Sequence, residues 1–148
     1  MGRKTMSSCC SHSCCCAEKD SKEVQEVKDV LNVWLNAVAS GGPDAVMTLY
    51  TDHAVLLPTL SGKICNDPAK RLEYFTHFTA KDSLKGTINE LHTRVLGDVA
   101  INSGHYTFTF KEGGKEVSAA ARFSFVYKKT PLGWLIVDHH SSLVPAGH

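Results

Sequence analysis

Val24, Val27, Leu31, Trp34, Leu35 and Val38 recur at spacings of three and four, which makes one apolar face of a long helix. Asp20 and Glu23 have capping-box spacing. One side chain accepts from a free first-turn amide and the other reaches back, so the helix is expected to open there. Gly41-Gly42 permits a left-handed ending, and Pro43 suits the first position of a second helix over about 43–50, burying Val46, Leu49 and Tyr50. "HAVLLPTLSGKICN" then reads as two short extended runs around Ser61-Gly62. Pro58 cannot donate to a ladder, so the first run belongs at a sheet edge or ends in a bulge. Asn66-Asp67-Pro68 opens a third helix to about Lys81, with Leu72, Phe75 and Phe78 as its inner face.

From residue 87 the period changes to two. Ile88, Leu91, Thr93 and Val95 alternate imperfectly. Tyr106, Phe108 and Phe110 share one strand face, with His105, Thr107 and Thr109 on the other. Gly113-Gly114 marks a hairpin, after which Phe123, Phe125 and Tyr127 alternate with Arg122, Ser124 and Val126. "TPLG" turns the chain into a last strand, "WLIVDHHSSLVP". Three helices followed by a four-stranded antiparallel meander define an α+β fold. Three helices cover only one face of such a sheet. The other face is also expected to carry large apolar groups, and aromatics on a face the helices do not cover suggest an interface with a second copy.

Composition narrows the class. The 148 residues are 43% hydrophobic and 21% charged, enough for one domain with a sizeable core. A net charge of +1 supplies no field for nucleic acid. No apolar run approaches a membrane span, and residues 1–16 lack the apolar stretch of a secretory signal, so the expected location is cytoplasmic. Of six cysteines, only Cys65 lies beyond residue 16, so disulfides cannot staple the domain. Residues 1–17 are read as a flexible Cys-rich tail and 18–148 as a single domain. No P-loop, GxGxxG, GxSxG or HExxH motif occurs.

The element order and the segments "GWLIVDHHSSLVP", "RVLGDVAINSGHYTFTF" and "ARFSFVYKK" resemble a known family. The fold looks like the cone-shaped nuclear transport factor 2-like (SnoaL-like) superfamily, with three N-terminal helices against a curved, mostly antiparallel sheet. Within it the chain resembles the association, or hub, domain of calcium/calmodulin-dependent protein kinase II, and the small SgcJ/EcaC-type proteins related to it. Trp134, Ile136, Val137, His140 and Ser142 carry the strongest likeness. The resemblance implies a stand-alone hub that self-assembles, as dimers closed into a ring, with a kinase or a small carboxylate as further partners. The hub's central-strand Arg is replaced near His105-Tyr106, and the Gly after its final-strand Ser is Leu143 here. The alternative is a SnoaL-like enzyme of isomerase, cyclase or dehydratase type, or a ligand-binding protein. No complete catalytic constellation is recognised, and no cofactor is expected.

A pocket between sheet and helices is drawn from His105, Arg122, Tyr50, Tyr74 and His140, with Ser124, His53 and His77 nearby. Arg122 suits a carboxylate because its planar fork pairs bidentately; the plainer reading is a structural ion pair or an interface. Asp138 and His140 are the candidates for proton transfer, against a solvated or ion-paired Asp138. His139 and His140 point to opposite strand faces and cannot join one metal site, so no metal is expected. In the tail, Cys9, Cys10, Cys14, Cys15 and Cys16 near Arg3-Lys4 are lipidation candidates, which would add a membrane as partner. Soft-metal binding, interchain or redox thiol chemistry and an unmodified leader are the other readings.

Overall fold

The computed structural model describes residues 13–146, with side chains from residue 22 onward. Helix α1 (Ser13–Asn36) turns Val27, Leu31, Trp34 and Leu35 inward, as their spacing requires. It begins before the expected Asp20 cap. Ala17, Glu18 and Lys19 are good helix formers and nothing among them stops the helix. Cys9 and Cys10 lie outside the described residues. Cys14, Cys15 and Cys16 fall in the first turns of α1, and their side chains are not among those described.

A π-turn (Ala37–Gly41) closes the long helix, and Gly42 at φ +83° redirects the chain into α2 (Gly42–Met47), with Pro43 in its first turn. This helix is shorter than the sequence implies. Val46 is buried in it, but Tyr50 already opens strand β1 (Tyr50–Leu57). β1 stops at Pro58, and Leu56 and Cys65 exchange backbone hydrogen bonds of 2.9 and 2.8 Å across the following loop.

Helix α3 (Pro68–Phe78) is capped by Asp67, whose Oδ1 accepts from the Lys70 amide at 2.8 Å. Phe75 and Phe78 face inward as expected, but Leu72 is 40% exposed and Arg71 is 1% exposed. The reason is β1. Its pairing shifts register between Tyr50 and Val55, and the Arg71 guanidinium donates to the carbonyls of Thr51, Asp52 and Ala54 within that stretch. A rigid fork with five donors meets three carbonyls as no apolar side chain can.

Four long strands follow: β2 (Asp82–Leu96), β3 (Val99–Glu112), β4 (Lys115–Thr130) and β5 (Gly133–Leu143). They form the expected meander, and β1 adds a fifth strand parallel to β5, giving the order β1-β5-β4-β3-β2. The first extended run is indeed an edge strand.

Two bulges explain the imperfect alternation. In β2 the register slips between Ile88 and Glu90, so Ile88 and Leu91, three apart, both pack on the core. Gly104 sits opposite this bulge; a Cβ built there would lie 2.0 Å from the Glu90 carbonyl oxygen. In β5 Ile136 pairs with Tyr127 and Asp138 with Val126, which leaves Val137 unpaired with β4.

The aromatic rows correct one expectation. Tyr106, Phe108, Phe110, Phe123, Phe125 and Tyr127 are all buried in the core beneath the helices. The antiparallel register sets Tyr106 beside Ala121 and Phe108 beside Ala119, so small residues on β4 make room for large ones on β3. The outer face carries Ile101 and Val126, both half-buried, among Ser103, Thr107, Arg122 and Ser124.

Two substitutions test these local devices. Gly104→Ala should cost more than about 2 kcal/mol, since backbone must move to admit the methyl. Arg71→Lys should cost about 1–3 kcal/mol, because a single nitrogen cannot stand in both places from which Nη1 serves Ala54 and Nη2 serves Thr51 and Asp52. Urea denaturation measures both, and unchanged midpoints would contradict the assignment.

Candidate functional site

Inside the cone a line of polar groups crosses an otherwise apolar core. α1 supplies Trp34, β1 supplies Tyr50, β3 supplies Tyr106, and β5 supplies His139 and Ser141. Trp34 Nε1 lies 3.0 Å from the Tyr50 hydroxyl, which lies 2.9 Å from His139 Nδ1. The Tyr106 hydroxyl stands 3.3 Å from His139 Nε2 and donates to Ser141 Oγ at 2.8 Å. Ser141 in turn contacts the Thr59 hydroxyl.

Indole can only donate, which orients the whole line. Tyr50 accepts from Trp34 and gives its own proton to His139 Nδ1. His139 therefore carries its proton on Nε2, aimed at the Tyr106 oxygen, and Tyr106 donates onward to Ser141. Burial, and less strongly the neighbouring His140, pushes the His139 pKa from 6.5 down to about 3, so the ring is neutral at ordinary pH. Burial also raises Tyr50 and Tyr106 well above the usual tyrosine range. Aromatic packing fixes the ring: His139 stacks on Phe125 with centroids 3.8 Å apart, and Trp34 meets it edge-on at 5.3 Å.

A small chamber opens beside this line, walled by Trp34, Phe75, Phe78, Tyr106, Phe108 and Ala121, with Thr59, His139 and Ser141 at its polar end. The space open to the centre of a water molecule is about 20 Å³, room for one water. Among the described residues no Asp, Glu, Lys or Arg lines it.

The residues expected to form one pocket are divided between the two faces of the sheet. Tyr50 joins the polar line and Tyr74 borders the chamber. His105, Arg122 and His140 occupy the outer face, where Arg122 pairs in register with His105 on one side and Ser142 on the other. Asp138 lies on that face too, opposite Val126, so it is no base for the chamber. The β5 bulge decides this. Trp134 and Ile136 point inward, and the extra residue at Val137 hands the inward positions to His139 and Ser141. Of the neighbouring residues drawn into the pocket, His77 borders a surface cleft and His53 is exposed.

Sequence reading missed His139, Ser141, Thr59 and Arg71. The signal for the first two was present: apolar Trp134 and Ile136 share even parity, yet the next even positions are Asp138 and His140, poor residues to bury. Among the described residues no group of three or more His, Cys, Asp or Glu is placed to hold a metal ion.

A curved sheet closed over by helices on one face is the nuclear transport factor 2-like fold. A protein of the NTF2-like family from Streptomyces avermitilis shares it at TM-score 0.78 and 19% identity, covering 85% of this chain and 99% of that one. More specifically, residues 23–145 match the calcium/calmodulin dependent protein kinase II association domain, and the chain belongs to that family. An association-domain protein from Xanthomonas campestris is 40% identical over 82% of this chain and 87% of its own, at TM-score 0.77. The S. rosetta kinase II hub superposes at TM-score 0.71 with 23% identity, covering 82% and 96%. No curated protein matches the chain.

The neutral His139 predicts a pH dependence. Between about pH 6.5 and 3 the unfolded chain binds a proton that the folded chain refuses, so stability is full above 6.5 and falls as pH drops. This residue contributes at most about 1.4 kcal/mol per pH unit in that window. Urea midpoints of the native protein and His139→Gln should converge as the medium is acidified, and parallel curves would show that the imidazole is not held neutral.

Proposed function

We propose that the chain is a hub that self-assembles, as face-to-face dimers closed into a ring. Membership of the association-domain family supports an oligomerisation role. The feature of this chain that carries the reading is the outer sheet face. The helices pack on the opposite side, so this face has no cover from the described residues. Half-buried Val55, Ile101 and Val126 form an apolar row across β1, β3 and β4, broken by Asp138 on β5. Beside it, among the described residues, the exposed Arg122 makes no ion pair and His105 Nε2 is buried without a hydrogen-bond partner. Apolar surface flanked by unspent polar groups fits an isologous contact, in which each copy completes the other. A kinase or a small carboxylate would be a further partner of the assembled hub.

Light scattering coupled to gel filtration at micromolar concentration should give a mass larger than a dimer. Val126→Asp combined with Arg122→Glu should reduce it to dimer or monomer with the circular dichroism unchanged. A monomeric native protein would end this reading.

A further inference from the structure

Between the 58–66 loop and α3 lies a cleft of about 700 Å³, within the usual range for small-molecule sites. Its walls divide by chemistry. Leu60, Ile64, Tyr74 and Phe78 give it apolar surface, while Lys63, Lys70 and Lys81 set three ammonium groups against one carboxylate, that of Glu73. Lys70 Nζ reaches Asn66 Oδ1 at 3.1 Å, and Lys81 Nζ lies 4.5 Å from the Phe110 ring centroid. The Lys63 ammonium has no ion-pair partner among the described residues. Leu60 and Ile64 remain 41% and 57% exposed, large apolar side chains beside free cationic charge. Leu60, Tyr74 and Phe78 also border the inner chamber, so the apolar wall runs on from the cleft toward it.

We propose that this cleft binds an acyl anion, with the anionic head among Lys63, Lys70 and Lys81 and the chain laid along Leu60, Tyr74 and Phe78. Each half of the wall excludes a different competitor. A short carboxylate satisfies the lysines but leaves the apolar wall wet. A neutral chain covers the wall but gives up the attraction of the ammonium groups. The inner chamber, which has no charged lining residue among those described, offers a carboxylate nothing comparable. A free fatty acid and an anionic lipid headgroup share this chemistry; the volume and the apolar wall favour the free acid. This proposal is independent of ring assembly.

Isothermal titration of the full-length protein with decanoate, octanoate and decanol tests it. Decanoate should bind saturably at one site per chain. Octanoate should bind about tenfold more weakly, the effect of two buried methylenes. Decanol should be at least tenfold weaker than decanoate. Lys63→Glu, on an exposed loop, should weaken decanoate at least tenfold, with circular dichroism and light-scattering mass as native. Absence of saturable heat, decanol within threefold of decanoate, or unchanged binding by Lys63→Glu would each overturn the proposal. So would co-sedimentation with phosphatidylglycerol vesicles by a protein that ignores decanoate, which would assign the lysines to a lipid surface.

Discussion

One extra residue in the last strand decides what the interior of this protein can do. Up to Ile136 the even positions of β5 face the core; beyond the bulge at Val137 the odd positions do. Without that slip, Asp138 and His140 would enter the aromatic interior, and a carboxylate there would need a charged partner that the chamber lacks. With it, a neutral imidazole and a hydroxyl enter instead, and both can be satisfied by tyrosines. The bulge thus exchanges a charged interior for a hydrogen-bonded one.

The hydrogen-bonded line then ties together parts of the chain that are distant in sequence. Trp34 from the first helix, Tyr50 from the edge strand and His139 from the last strand meet at the Tyr50 hydroxyl and the imidazole. Because indole donates only, the line has one direction, and that direction fixes the tautomer of His139. A buried network of this kind is costly if half made. The packing of Phe125 and Trp34 on the imidazole holds it complete.

Much of this fold was legible in the sequence, for identifiable reasons. The helix faces report burial directly, and Val27, Leu31 and Phe75 were placed correctly by period alone; the strand alternation grouped Phe108 with Phe110 and Phe123 with Phe125 but did not say which face was the inner one. What failed depended on events that period does not record. Leu72 was assigned inward because it is apolar, but the carbonyls of Thr51, Asp52 and Ala54 drew Arg71 there instead. The pocket was drawn around Arg122, His105 and His140 because polar residues on a strand were taken as pocket walls. The large aromatics on the alternate positions had already claimed the inner face. The β2 irregularity at Ile88 was visible as imperfect alternation, and the one at Val137 hid inside a continuous apolar run.

The bulge in β2 matters for a reason beyond the side chains it redirects. β2 is an outer strand of the sheet, fifteen residues long, and such a strand is a ready template for another molecule's backbone. The slip at Asn89 interrupts the regular spacing of its free amides and carbonyls, and Lys85, Glu90, His92 and Arg94 line its solvent side. A visiting strand would find neither an even ruler to zip along nor a neutral surface to lie on. Crowding is thereby turned away from edge-to-edge fibre growth.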